Sequence, residues 1–210
     1  LIIVGGQVPF GVVAAVGLAL LFVTLATGAL HEDGFMDVCD GFGLLRDRTE
    51  TIKIMRDPQC GAFAVVGIVM LVGIRWSTLI ELAKLTDGGW PLLVAILVAA
   101  HGISRWAAVW PITHLAYVGG DGRSAGVVTS LGQRGKYYAL MWAFASLLPA
   151  FVMAPGSTVC AVLAVLGGYT WATGIFRRRL GGYTGDCLGA TQQICEVVFY
   201  LGCLAALRLL

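Results

Sequence analysis

Residues 157–176 read STVCAVLAVLGGYTWATGIF and contain no charged side chain. The run follows Pro155-Gly156, a pair typical of turns, and it is followed directly by three arginines at 177–179. An α-helix of about 20 residues is long enough to cross the roughly 30 Å hydrocarbon core of a bilayer. This stretch therefore predicts a transmembrane helix with a basic end.

The composition of the whole chain agrees with this prediction. Of the 210 residues, 58% are hydrophobic and 12% are charged, which is roughly half the charge of a soluble domain. Such a composition excludes a soluble enzyme, a disordered chain and a nucleic-acid-binding module, which would need a basic surface. We therefore expect the lipid bilayer, and no nucleic acid, as a partner.

Five further apolar runs resemble the first, and the ten-residue alternation of a porin-like barrel is not visible. The sequence thus predicts an all-α, polytopic transmembrane helix bundle in one integral-membrane domain over residues 1–210. Residues 1–8 look like the tail of an earlier span, so we expect the domain to be incomplete at its N-terminus. The six predicted spans are 11–30, 61–82, 91–110, 137–154, 157–176 and 188–207.

The basic residues are unevenly distributed between the spans. Most of the 14 Lys and Arg residues fall in three connections, 31–60, 105–136 and 177–187. With six alternating spans, these three connections lie on one side of the membrane, and the positive-inside rule makes that side cytoplasmic. We therefore expect the face that carries these three connections to be cytoplasmic.

The strongest chemical pattern is HEDGFMDVCDG at 31–41, where the first predicted span reaches the cytoplasm. If the helix continues, Asp33, Asp37 and Asp40 share a stripe about 60° wide. Like charges at this spacing repel, so the arrangement favours a bound cation. Carboxylate oxygens suit Mg²⁺, with Mn²⁺ or Ca²⁺ as alternatives. The pattern is compatible with a metal site and also with a solvated acidic helix end that binds nothing.

A second acid, Asp186, follows a glycine-rich turn in GGYTGD at 181–186 and precedes an apolar helix. Glycines and a helix N-terminus allow backbone amides to approach an anion. Glu196 lies about 15 Å further along that helix. The preceding arginines, Arg178 among them, are either a topology anchor or a clamp for phosphate.

Two more clusters carry charge near the same membrane face. Arg56 and Asp57 are adjacent and could form an ion pair at a loop end, and Arg105 could snorkel to the surface or face a phosphate. Carboxylates that hold a divalent metal, with arginines around them, are the parts of a phosphoryl-transfer site. The residue types therefore favour phosphoryl transfer, without identifying a substrate.

Four motifs of this chain closely resemble the cobalamin-5′-phosphate synthase (adenosylcobinamide-GDP ribazoletransferase) family. They are HEDGFMDVCDG at 31–41, IMRDPQCGAFAV at 54–65, Ser104-Arg105, and RRLGGYTGDCLGATQQICE at 178–196. The resemblance covers most of the chain in the same order. It implies that roughly an N-terminal span and a half of the family is missing from this chain.

The resemblance implies a Mg²⁺-dependent membrane transferase of late cobalamin biosynthesis. It also implies a bacterial or archaeal cytoplasmic (inner) membrane as its location, with the active face cytoplasmic. Its substrates would be adenosylcobinamide-GDP and α-ribazole 5′-phosphate (or α-ribazole), and its products adenosylcobalamin 5′-phosphate (or adenosylcobalamin) and GMP. Carried over by position, the metal ligands are Asp33, Asp37, Asp40 and Asp186. Asp186 is also a candidate base, and the residues that contact phosphates or order the loops are Arg56, Asp57, Arg105 and Arg178.

Three positions depart from the family pattern. Glu32 stands where an apolar residue is usual, Gln59 where arginine is common, and GGDGRS at 119–124 lacks the usual arginine and Gly-Leu-Gly. None of them is a predicted metal ligand.

Two other functions remain open on the residues alone. A CDP-alcohol phosphotransferase of lipid synthesis also carries an aspartate cluster at a helix end, but no Ala-Arg follows Gly41 here. A cation transporter would place acids near the middle of its spans, whereas three of the six predicted spans contain no charge. The oligomeric state is also open, with a homo-oligomer as one option.

Overall fold

The computed structural model describes residues 11–86, 90–120 and 133–209. They form eight α-helices: α1 (Gly11–Ala26), α2 (Leu30–Phe42), α3 (Arg48–Met55), α4 (Ala62–Leu85), α5 (Trp90–Val109), α6 (Gln133–Met153), α7 (Pro155–Leu180) and α8 (Gly185–Leu209). A 3₁₀ turn, Trp110–Thr113, follows α5. Extended pairing in this part of the chain is limited to one isolated bridge, so the all-α prediction is confirmed.

Within the described residues, five helices are long and apolar enough to cross a membrane, namely α4, α5 with the turn after it, α6, α7 and α8. Helices α1 and α2 pass the same test only as a pair. The prediction of a polytopic bundle is thus confirmed. The predicted tail at 1–8 and most of GGDGRS at 119–124 lie outside the described residues.

The first predicted span, 11–30, is not one straight helix. Helix α1 ends at Ala26, and the axis of α2 is turned by 89° from it. Gly28 and Ala29 adopt left-handed φ angles of 62° and 56°, and the Ala29 N–H donates to the Thr24 carbonyl at 2.8 Å. Left-handed residues end a right-handed helix, so the acidic motif begins a new helix and does not continue the first.

Helix α8 is the centre of the bundle. It packs against α2, α4, α5 and α7, and most of its apolar side chains between Cys187 and Cys203 are buried. A Cβ at Gly202 would lie 2.7 Å from the Ala161 Cα, so only glycine allows α7 and α8 to approach this closely. Close packing by small residues is typical of membrane helices.

The outer surface of the bundle is apolar. Large side chains on α1 and α6, such as Phe22 at 72% exposure and Trp142 at 68%, have no protein neighbour to cover them. In a soluble protein this surface would drive aggregation. In a bilayer it contacts acyl chains, as the composition predicts.

The described parts of the three basic connections meet at one end of the bundle, as the charge distribution predicts. The Val118 N–H donates to the Tyr183 carbonyl and the Tyr183 N–H to the Ala116 carbonyl, both at 2.9 Å. The Arg179 guanidinium donates to the Leu44 carbonyl at 2.6 Å. We call this end, where α7 ends and α4 and α8 begin, the site end.

Candidate active site

Helix α2 presents its three aspartates on one face, as the spacing predicts. Asp33, Asp37 and Asp40 all lie within Leu30–Phe42. Asp33 is exposed, whereas Asp37 and Asp40 are partly buried. The stripe is therefore open to its surroundings at Asp33 and partly covered at Asp37 and Asp40.

Two glycines bring the stripe next to Asp186. A Cβ at Gly34 would lie 2.9 Å from the Asp186 carbonyl oxygen, and one at Gly189 would lie 3.2 Å from the His31 carbonyl oxygen. Side chains at these positions would push α2 and α8 apart. Residues far apart in the sequence thus place four carboxylates from two helices in one region.

The four carboxylates repel one another. The charge on Asp37 is opposed by those on Asp186, Asp33 and Asp40, and Asp37 is also partly removed from water. Within the described residues, no group of three His, Cys, Asp or Glu side chains is arranged so that it could hold a metal ion. Donors that are all carboxylate oxygens nevertheless have the chemistry that Mg²⁺ prefers.

Asp40 also has a structural role. Its Oδ2 accepts from the Gly61 N–H at 2.6 Å and its Oδ1 from the Ala64 N–H at 2.8 Å. These amides are at the start of α4, where backbone N–H groups lack partners within the helix. Asp40 therefore fastens α4 to α2 across the site.

A threonine and an arginine adjoin Asp186. The Thr184 hydroxyl donates to its Oδ2 at 3.2 Å. The exposed Arg56 guanidinium donates to the Gly119 carbonyl and is close enough to Asp186 to attract its charge. Arg56 thus orders the loop after α5 and supplies a positive charge beside the acids.

Asp57 makes a separate contact. Its Oδ1 accepts from the Gln59 N–H at 2.9 Å, and no ion pair joins it to Arg56 in the described chain. The carboxylate therefore shapes the turn before α4. Both residues are exposed at the site end.

The two remaining candidate arginines stand apart from this group. Arg105 folds back on its own helix, with Nη1 3.0 Å from His101 Nδ1 and 3.1 Å from the His101 carbonyl oxygen. Arg178 is exposed at the end of α7 and borders a groove between α7 and α2. Neither forms an ion pair with the four carboxylates in the described parts of the chain.

The loop that holds Asp186 is itself well packed. Tyr183 is fully buried, and its ring meets that of Tyr117 edge-on at 5.6 Å between centroids. Burial raises the pKa of the Tyr183 phenol, with a smaller contribution from Tyr117, so this side chain stays neutral. A rigid loop fixes the position of Asp186.

Behind the carboxylates lies a buried charged network that the sequence reasoning missed. Arg75 of α4 is 4% exposed and pairs with Glu196 of α8, 1% exposed, at 2.6 Å. Glu196 also accepts from Gln192 at 2.5 Å and from the Tyr200 hydroxyl at 3.0 Å. Glu32 of α2 lies 3.8 Å from Arg75, so the network joins three helices.

One signal in the sequence could have found this network. Arg75 and Glu196 each interrupt a predicted apolar span, and charges within membrane helices are seldom left without a partner. In the sequence, Arg75 is one of the few basic residues outside the three basic connections. In the structure it is a buried partner of Glu196.

Comparisons with known proteins identify the family of this chain. The cobalamin-5-phosphate synthase family matches residues 1–204. A protein named adenosylcobinamide-GDP ribazoletransferase from Leptothrix cholodnii is 36% identical, over 91% of this chain and 73% of its own length. Another of that name from Ralstonia pickettii is 38% identical, over 91% of this chain and 72% of its own.

No solved structure matches the chain. The family match covers α2 and α8, the helices that bear the four carboxylates, and nearly all of the described bundle. These relatives share more than a third of their residues with this chain over most of both chains. The chain belongs to the cobalamin-5-phosphate synthase family.

Proposed function

We propose that this protein is an adenosylcobinamide-GDP ribazoletransferase of cobalamin biosynthesis. The observation that carries the proposal is the meeting of four carboxylates from α2 and α8 beside Arg56. Family membership and the names of the relatives supply the substrate class. They favour this activity over a CDP-alcohol phosphotransferase and over a cation transporter.

The metal is proposed to be Mg²⁺, with Mn²⁺ as a substitute. Mg²⁺ is usually held by one or two carboxylates together with water and substrate phosphate oxygens, so the protein need not supply a complete cage. Asp33, Asp37 and Asp186 would provide the carboxylates, and Asp40 would contribute an oxygen while it holds α4. When bound, the ion would supply positive charge to neutralise the diphosphate and the departing phosphate.

In the proposed reaction, a ribose hydroxyl of α-ribazole 5′-phosphate attacks the cobinamide-side phosphorus of adenosylcobinamide-GDP. The new oxygen–phosphorus bond forms as the bond to GMP breaks, which yields adenosylcobalamin 5′-phosphate and GMP. Asp186, held by Thr184 on a rigid loop, is the candidate to take the hydroxyl proton. Arg56 would orient the diphosphate, while Asp57 keeps the turn before α4 in shape.

The active face is proposed to be cytoplasmic. The site end carries the described parts of the three basic connections, and Lys and Arg are enriched on the cytoplasmic side of membrane proteins. This orientation would give the site access to soluble nucleotides. Arg105 and Arg178 lie at the margin of the site and are proposed to order the loops around it.

The experiment is a product analysis on the protein in lipid nanodiscs. Adenosylcobinamide-GDP is supplied with α-ribazole 5′-phosphate or with α-ribazole. A separate reaction contains a CDP-alcohol and its acceptor instead. We expect a corrinoid product whose mass corresponds to loss of GMP and gain of the ribazole. A folded protein that makes no corrinoid product, or that uses only the CDP-alcohol, would refute the proposal.

A further inference from the structure

A groove with a cavity of about 490 Å³ runs between α2 and α7 and is closed at its base by α8. This volume is in the range of small-molecule sites. Its walls are apolar, and two arginines stand at one end. The apolar lining includes Phe35, Val38, Phe42, Trp171, Phe176 and Ile194.

The groove lies on the opposite side of α2 from the carboxylates. At about 100° per residue, the α2 residues that line it point about 180° away from the stripe of Asp33, Asp37 and Asp40. The substrate diphosphate and the content of the groove would therefore touch different faces of the same helix. The groove is a separate site.

The two arginines at its mouth are short of negative partners. Arg178 makes no hydrogen bond or ion pair within the described residues, and Arg179 is tied only to the Leu44 carbonyl and to the face of Phe42, at 5.3 Å. Each guanidinium has donors left for a ligand. Guanidinium groups suit phosphate oxygens through paired N–H donors.

The groove extends along the axis of α7, from the site end toward the middle of the helix. Trp171 lies about 10 Å further from the site end than Arg178 and is 61% exposed on the outer surface of the bundle. The groove is thus polar where α7 ends and apolar where α7 enters the hydrocarbon. A phospholipid has the same distribution of charge and apolar surface.

We propose that this groove binds one anionic phospholipid, with its phosphate at Arg178 and Arg179 and an acyl chain along Trp171. Basic pockets between membrane helices bind acidic head groups in this manner. The bound lipid packs against the face of α2 opposite the carboxylates and so holds the carboxylate face toward Asp186.

The test uses the full protein in phosphatidylcholine nanodiscs into which brominated phosphatidylglycerol or brominated phosphatidylcholine is titrated in increasing fractions. Bromine quenches tryptophan at contact distance, and the signal of Trp171 is obtained by subtracting that of W171F. We expect brominated phosphatidylglycerol to quench Trp171 at about one fifth of the concentration that brominated phosphatidylcholine requires. That preference is about the effect of one arginine near an acidic head group.

Two variants of the same helical turn test the assignment. Arg178→Gln removes an exposed guanidinium at the groove and is expected to abolish most of the preference for phosphatidylglycerol. Arg177→Gln removes the neighbouring charge, which does not line the groove, and should retain the preference. Equal quenching by both lipids in the wild type, or equal losses in the two variants, would overturn the proposal. The assay needs no substrate, so its outcome is independent of the proposed activity.

Discussion

Removal of the Glu196 carboxylate should destabilise the bundle strongly. Glu196→Ala leaves the Arg75 guanidinium, 4% exposed, without its partner at 2.6 Å. Breaking a buried ion pair in this way costs about 3–5 kcal/mol. Glu32, 3.8 Å from Arg75, still attracts the guanidinium in this variant. We therefore expect the free energy of unfolding to fall by about 3 kcal/mol, the lower end of this range.

This loss can be measured by thermal unfolding in nanodiscs. Exposure of the buried thiols of Cys187, Cys195 and Cys203 to a thiol-reactive dye reports the opening of α8. A loss of about 3 kcal/mol lowers the melting temperature of a chain of this length by about 6–12 °C. The same network positions α2 through Glu32, so activity should fall together with stability.

A matched control is available at the other end of the bundle. Arg208 and Glu81 form an ion pair of the same length, 2.6 Å, but their side chains are 52% and 36% exposed. Glu81→Ala should leave the melting temperature essentially unchanged, because exposed pairs contribute little. The double variant Arg75→Met/Glu196→Met should be more stable than Glu196→Ala. Equal melting temperatures for Glu196→Ala, Glu81→Ala and the wild type would refute the reasoning.

Three further predictions concern the site. Gly34→Ala places a Cβ 2.9 Å from the Asp186 carbonyl oxygen, which should lower the free energy of unfolding by about 1–3 kcal/mol and abolish transfer. A melting temperature and a rate of GMP release equal to those of the wild type would contradict the close packing. Asp40→Ala removes two hydrogen bonds to the start of α4 and should lower the free energy of unfolding by about 1 kcal/mol, measured as melting temperature. Arg56→Gln should lower the rate on the order of 100-fold at unchanged melting temperature, and an unchanged rate would remove Arg56 from the site.

The helical bundle and the carboxylate stripe were predictable because they depend on local properties. Apolar length predicts spans, and helical periodicity places Asp33, Asp37 and Asp40 on one face whatever surrounds them. The uneven distribution of Lys and Arg likewise predicted that the three basic connections share one end of the bundle, as their described parts do. In each case a short stretch of sequence contains the whole signal.

The remaining features depend on contacts between distant residues. The bend before α2 occurs inside an apolar run, at Gly28 and Ala29, where composition does not change. Asp40 finds its partners at the start of α4, and Arg75 lies 121 positions from Glu196. Neither pairing can be read from spacing along one helix, since each is decided by how the helices pack.

The most direct measurement of the central claim is GMP release from adenosylcobinamide-GDP and α-ribazole 5′-phosphate as a function of Mg²⁺ concentration. It compares the wild type with Asp37→Asn, which removes a negative charge from the stripe at nearly constant shape. We predict release that stops with excess chelator in the wild type and is absent in Asp37→Asn, whose melting temperature is not lowered. Release that survives the chelator, or an Asp37→Asn variant with wild-type rates and Mg²⁺ dependence, would contradict the account.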